Sequence, residues 1–304
     1  MKKMYFIVNL VAGKAEISKN LGAIIDEFTR SEYDITIHTT QSGTDAAYCA
    51  RYACDSGYDL LVCAGGDGTL SQCLQGIMAS ESRIPIGYIP AGSTNDFAKS
   101  LGIPADPMRA VRYIIEGEPC LCDVGILNDQ CFSYIAAFGA FTNVSYETSQ
   151  RVKNLFGHAA YVANGAMQIG SIKSKNLRIE HDGETIEGEF IYGMITNTAS
   201  VAGLLSIKDF LLDDGVFEVT LIQKPKNVME LGATELSLLK NDNSDKNIIF
   251  FRTDRIVITN LDEEPFTWTR DGEYGGNCTV NEIVNHKQAI PFIVNYKSQL
   301  PFSE

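Results

Sequence analysis

Three short segments hold the residues best suited to chemistry. Gly65-Gly66-Asp67-Gly68-Thr69 follows the apolar run Leu60-Leu61-Val62-Cys63 and opens a segment of helical period. Successive glycines let a backbone approach a phosphate closely, and the free N–H groups at a helix start point toward an anion. A plain tight turn from strand to helix is the alternative, but four constrained positions at a strand end favour the phosphate. Asp67 is too acidic to touch phosphate itself. Pro90-Ala91-Gly92-Ser93-Thr94-Asn95-Asp96-Phe97-Ala98 also stands where a strand hands over to a helix. There Ser93 and Thr94 offer hydroxyls and a helix cap, while Asn95 and Asp96 can fix the loop by hydrogen bonding. The third segment, Arg270-Asp271-Gly272-Glu273-Tyr274-Gly275-Gly276, places two carboxylates two residues apart. Phosphoryl transfer asks for these parts: a phosphate held in line, its charge neutralised, and an attacking hydroxyl relieved of its proton.

The elements that must position these segments are legible as alternating periods. Tyr5–Leu10 reads as a buried strand, and Ile17, Leu21, Ile24, Ile25 and Phe28 then recur at helical spacing. A strand over 34–40, a helix over 44–55, the strand at 60–63, a helix after Thr69 and a strand over 86–89 follow. Helices come next after Ser93 and Asp106, the latter with Pro107 in the first helical position. Such a βαβ rhythm predicts a parallel sheet covered by helices on both faces, with ligands at the carboxyl edge of its strands. After Cys120 the order turns to hairpins, with His181-Asp182-Gly183 as a turn signal between strands at 176–180 and 188–196, and a further strand over 216–222. Helical intervals are expected near 151–169 and 227–239. This half reads as an antiparallel β-sandwich, so the fold class is α/β plus β with the site in the cleft between the two parts.

Composition narrows the function. The 304 residues suit two domains, and 45% hydrophobic with 21% charged residues is ordinary for a globular chain. A formal net charge of −13 argues against a nucleic-acid coat protein and requires any contact with an anionic bilayer to be local. None of the eight cysteines forms a CxxC pair, so they read as reduced, buried thiols. The four histidines, His38, His158, His181 and His286, show no metal-ligand spacing along the chain. Trp268 reads as packed, and Gly13-Lys14 lacks the full P-loop spacing. No signal-peptide pattern or apolar run of ~20 residues is present, so a cytoplasmic, soluble protein is expected.

The GGDG segment also occurs in NAD kinases and phosphofructokinase-like enzymes, but Pro90–Ala98 resembles the P-x-G-(T/S)-x-N-D-(F/L)-(A/G) signature of the diacylglycerol and sphingosine kinase family. Asn9-Leu10-Val11-Ala12-Gly13 resembles that family's N-P-x-x-G nucleotide loop, with Leu10 at the proline position. Leu211–Val216 resembles the segment that holds a structural magnesium in bacterial diacylglycerol kinases, and Asp271-Gly272-Glu273 resembles the family's D-G-E segment. Val144–Thr148, with Gly157 and Tyr161, is similar to the soluble enzymes of Gram-positive bacteria.

The resemblance implies an ATP-dependent lipid kinase. Its nucleotide would lie across Asn9, Gly13, Thr40, Gly65, Gly66, Asp67, Gly68, Thr69, Ser93, Asn95 and Asp96. Asp67 would organise a catalytic Mg2+, and Glu273, or Asp271 beside it, would accept the proton of the lipid hydroxyl. A structural Mg2+ would use the Asp214 carboxylate with the carbonyls of Leu211 and Val216. The implied domains are 1–122 with about 284–304 returning, and 123–283; a homodimer is in keeping with the family. Diacylglycerol leads the lipid acceptors, with monoacylglycerol, ceramide, a sphingoid base and phosphatidylglycerol open. An NAD kinase and a silent nucleotide- or lipid-binding protein are the alternatives. Docking on the inner face of the membrane is expected at 151–179, which lacks Asp and Glu but carries Arg151, Lys153, Lys173, Lys175 and Arg178 among Leu155, Phe156, Tyr161, Val162 and Met167.

Overall fold

The computed structural model describes residues 1–13, 16–92, 95–139, 173–198, 200–201, 205–206, 210–240, 242 and 244–295. The expected nucleotide contact Ser93, its neighbour Thr94, the helical interval near 151–169 and most of the basic segment lie outside the described residues. Lys175 and Arg178, at its end, lie on a strand, where Arg178 pairs with Glu187 at 2.7 Å.

The first half alternates β1 (Lys2–Val8), α1 (Glu16–Arg30), β2 (Tyr33–Thr39), α2 (Asp45–Asp55), β3 (Leu60–Gly65), α3 (Asp67–Met78), β4 (Ile86–Pro90), α4 (Asp96–Ser100) and α5 (Pro107–Glu116). Strands β4, β3, β1 and β2 are neighbours in that order and all parallel. Every residue of β3 is buried, as a strand covered by helices on both faces must be. Pro107 occupies the first turn of α5 as its sequence predicts, and Asp106 caps that helix by accepting from Arg109 N at 2.8 Å.

Beyond α5 the chain is mainly antiparallel: β5 (Glu118–Leu127), β6 (Gln130–Phe132), β7 (Ile135–Gly139), β8 (Lys175–His181), β9 (Glu184–Thr196), β10 (Ser200–Val201), β11 (Leu205–Ser206), β12 (Phe217–Gln223), α6 (Val228–Leu239), β13 (Ile248–Thr253), β14 (Arg255–Asn260), β15 (Phe266–Arg270), β16 (Glu273–Cys278) and β17 (Val280–Val294). The expected hairpin turn at 181–183 joins β8 to β9, with Asp182 and Gly183 both at positive φ (47° and 81°). A second core, including Phe132, Phe138, Phe190, Phe217 and Trp268, fills this half.

The halves share one sheet. The first part of β17 pairs with β14, and its end runs beside β4, Phe292 opposite Ile86, so the last described strand returns to the parallel core. Along most of its length β17 also pairs antiparallel with β5, broken by a bulge between His286 and Ile290. Asp123 on β5, fully buried, fills that bulge: its Oδ1 accepts from Gln288 N at 2.7 Å and its Oδ2 from Gly215 N at 2.6 Å. A buried carboxylate needs such donors to offset its lost hydration.

Candidate active site

Three βα loops meet at the carboxyl ends of β1, β3 and β4. Gly13, after β1, has φ +53°, and a Cβ there would lie 2.2 Å from Ala91 O. A Cβ on Gly92 would approach Gly66 Cα to 2.7 Å, so the β3 and β4 loops touch backbone to backbone. Polar side chains hold the loops. Asn9 Nδ2 donates to Thr69 Oγ1 at 3.0 Å, and Asn9 Oδ1 accepts from Val11 N at 3.2 Å. Asn95, at φ 48°, closes its own turn by accepting from Gly92 N at 2.9 Å and donating to Gly92 O at 2.8 Å. Asp96 is buried and accepts from Lys99 Nζ at 2.8 Å. Gly66 caps α3 with no side chain across its first N–H groups, as an anion cradle requires. Thr40 lies at the end of β2, its N–H bonded to Val8 O at 3.0 Å.

Asp67 stands in the first turn of α3, buried, with Oδ1 lacking any hydrogen-bond partner. Burial, followed by the negative charges of Asp271 and Asp96, pushes its carboxyl up to about 7, against the pull of the Asp96 and Phe97 backbone N–H groups. Tyr134 is drawn into the same field: burial and the carboxylates of Asp67, Asp271, Asp96 and Glu273 hold its phenol well above the ordinary range. These groups share one acidic pocket, although they come from four separate stretches of chain.

The acidic turn is a hairpin between β15 and β16, Asp271 and Gly272 taking φ of 48° and 82°. Its two carboxylates face different worlds. Asp271 is buried and accepts from Ser133 N (2.7 Å), Ser133 Oγ (3.0 Å), Tyr134 N (3.0 Å) and Ile135 N (3.2 Å). Burial pushes its carboxyl up, and those backbone donors pull against the rise. Glu273 is exposed and points at the phosphate loop, since a Cβ on Gly68 would lie 3.5 Å from Glu273 Oε1. Asp271→Asn is therefore expected to lower the melting temperature by the loss of one or two hydrogen bonds at about 1–3 kcal/mol each, because the amide turns a donor toward N–H groups. A thermal melt unchanged by the substitution would contradict this anchoring role.

Arg270, beside the turn, fastens the β-rich half to the phosphate helix. Its guanidinium donates to Ser71 Oγ at 2.9 Å and to Cys131 O, and Gln75 Oε1 accepts from Cys131 N at 2.8 Å. The relative placement of Glu273 and α3 is thus set by direct bonds. Sequence reading missed Tyr134, Ser133, Arg270 and Asp123. Asp123 alone carried a signal, a charged residue inside an apolar strand run.

In the loop expected to hold a structural magnesium, protein groups meet the Asp214 carboxylate. Asp214 Oδ2 pairs with Arg252 and its Oδ1 accepts from Val216 N at 3.1 Å, while the Lys287 stem lies against Gly215. Glu218, also paired with Arg252 at 3.1 Å, is pushed up to about 7, chiefly by burial. Leu211 is half-buried at the start of this loop. With both Asp214 oxygens engaged and a guanidinium already beside it, this donor set fits a cation less well than the Asp67 pocket does.

A phosphate cradle joined to an acidic pocket, with a free carboxylate brought against it from the other half, defines a phosphotransferase. A diacylglycerol kinase catalytic domain matches residues 3–127. The chain is 32% identical to a diacylglycerol kinase of Bacillus subtilis (strain 168) over 287 residues, 94% of each chain. It is 33% identical to a diacylglycerol kinase of Staphylococcus carnosus (strain TM300) over 291 residues, 95% of this chain and 94% of the relative. Its fold matches two structures from Bacillus anthracis str. Sterne. One, at 24% identity, has a TM-score of 0.81 and covers 98% of this chain and 99% of that one. The other, a diacylglycerol kinase crystal structure at 23% identity, has a TM-score of 0.74 and covers 97% of both. The chain belongs to the diacylglycerol kinase family, whose members are phosphotransferases with an alcohol acceptor.

Proposed function

We propose that this protein transfers the γ-phosphoryl group of ATP to the free hydroxyl of diacylglycerol, giving phosphatidic acid. The observation that carries the proposal is the buried, unpartnered Asp67 Oδ1 at the head of α3, beside a glycine cradle whose Gly68 faces Glu273. An orphaned carboxylate oxygen in a pocket with two further buried carboxylates suits a hard divalent cation such as Mg2+. Asp67 would hold it, with Asp96 nearby, and the ion would supply neutralising charge for the phosphoryl oxygens.

The protein's own contributions follow from geometry. The N–H groups at the start of α3 and the Gly65–Gly68 backbone bind phosphate oxygens, and the Asn9–Thr69 bond keeps that loop in register with the β1 loop. Glu273 accepts the proton of the acceptor hydroxyl on a carboxylate oxygen. Asp271 positions the hairpin that carries it. Tyr134 and the acidic groups beside it are buried and so poorly hydrated, which strengthens each electrostatic contact. No helix among the described residues is long and apolar enough to cross a membrane. The acceptor is a lipid, so the proposal has the protein meet it at the bilayer surface by peripheral, transient contact.

The choice of acceptor is tested by offering labelled ATP, magnesium and micelles of diacylglycerol, monoacylglycerol, ceramide, a sphingoid base or phosphatidylglycerol. Diacylglycerol should give the largest kcat/KM; a preference for any other lipid would replace it. A separate melt addresses the 211–216 loop. Asp214→Ala should lower the melting temperature equally with magnesium and with chelator, since what it removes is the Arg252 pair and the Val216 contact. A deficit that appears only with magnesium would place a structural ion at Asp214, Leu211 and Val216 instead.

A further inference from the structure

His38, Asp45 and Cys49 converge at the mouth of β2 and the start of α2, and no part of the proposed phosphoryl transfer uses them. His38 Nε2 lies 2.9 Å from Asp45 Oδ2, and Cys49 Sγ lies 3.8 Å from Asp45 Oδ1. All three ligand atoms lie within 4.8 Å of one another, the one such group of histidine, cysteine and acidic side chains among the described residues. Asp45 and Cys49 are four residues apart on α2, so they share one helix face, and His38 reaches them from the neighbouring strand. Both supports are regular elements, which fixes ligand positions better than loops do. The Tyr5 ring stacks on His38 with centroids 6.4 Å apart, steadying the imidazole. Cys49 is buried, while the His38 and Asp45 side chains keep 35% and 19% of their exposure, so the group is closed on the protein side and open to water.

We propose that His38, Asp45 and Cys49 form a three-ligand site for a borderline divalent cation of the zinc class, its fourth position left to water. One nitrogen, one carboxylate oxygen and one sulfur at these separations match the donors and spacing of such an ion, whereas magnesium avoids sulfur. Asp45 Oδ2 faces His38 and its Oδ1 faces Cys49, so the carboxylate lies between the other two ligands. Binding displaces the Cys49 thiol proton, and any proton on His38 Nε2, to solvent as the sulfur–metal and nitrogen–metal bonds form. The site is separate from the Asp67 pocket, and its Gln41 contact at 2.8 Å ties it to the loop that carries Thr40.

Cobalt(II), which reports its ligands by colour, tests the site. The Cys278→Ser protein should be titrated, because Cys278 is the exposed thiol and would confuse the reading. One equivalent of cobalt should bind with a thiolate-to-metal charge-transfer band, and zinc should abolish that band by displacement. Cys49→Ser should lose it. His38→Gln, at a half-exposed position that the fold tolerates, should weaken cobalt binding at least as much as the roughly 10- to 100-fold that outer-shell changes cost. Absence of the band in the Cys278→Ser protein, its survival in Cys49→Ser, or unchanged affinity in His38→Gln would overturn the proposal. If Cys49→Ser does not fold, the His38→Gln titration alone decides.

Discussion

Asp67→Asn should abolish turnover while raising the melting temperature of the magnesium-free protein. The two effects share a cause. Asp67 is buried with one oxygen unpartnered and faces the charges of Asp271 and Asp96, so its ionised form is held at a cost unless a cation enters. A carboxyl whose folded pKa lies above its unfolded value contributes stability that is complete below the unfolded value and is lost as pH rises through the folded one. For Asp67 that window runs from 3.8 to about 7. The amide does not ionise. The melting temperatures of wild type and variant should therefore match near the acid end of the window and diverge toward neutral pH, with the variant higher. A rise from 3.8 to about 7 corresponds to at most ~4 kcal/mol, which is several degrees in a chain of this size. Glu218 titrates over the same range in both proteins and cancels in their difference, which leaves Asp67 and the Asp271 charge it faces. Magnesium should stabilise the wild type and not the variant. Turnover should fall on the order of 100- to 1,000-fold, the usual cost of a lost transition-state contact. A folded variant with near-normal activity, or one less stable than wild type at neutral pH in chelator, would contradict the role assigned to this residue.

Glu273→Gln should lower kcat by about 100- to 10,000-fold, the range for loss of a general base, and leave ATP affinity nearly unchanged. The side chain is exposed and isosteric with its replacement, so the melting temperature should hold. Asp271→Asn should do the reverse in emphasis, since that carboxylate has four donors and none of its bonds reaches the cleft. Steady-state kinetics beside thermal melts separate the two. A mild Glu273→Gln with a crippled but fully stable Asp271→Asn would exchange their roles.

Much of the phosphate half was legible because its signals are local. A strand buried on both faces, such as β3, is a continuous apolar run, and the glycines that follow it are forced by backbone contact rather than by side-chain chemistry. Pro107 and Asp106 marked a helix start for reasons internal to five residues. What sequence could not give was convergence. Asp271 and Glu273 are two residues apart and of similar type, yet one is swallowed by the Ser133–Ile135 backbone and the other faces Gly68, a distinction made by residues over 130 positions away. Arg270 looked like a surface cation flanking a motif; only the docking of β6 on α3 gives it a bond to Ser71. His38 showed no ligand spacing because its partners sit on another element, seven and eleven residues along. The Asp214 loop was read from local likeness, and the guanidinium that pairs with its carboxylate comes from β13.

Direct transfer from ATP to a lipid hydroxyl can be tested in one measurement. The protein is given γ-labelled ATP and magnesium with diacylglycerol micelles and NAD together, and the label is followed after extraction. Label should appear in the organic phase as phosphatidic acid, at a rate that collapses in Glu273→Gln, with none in the aqueous dinucleotide. Label in NADP, or none in any lipid from a folded protein that binds ATP, would contradict it.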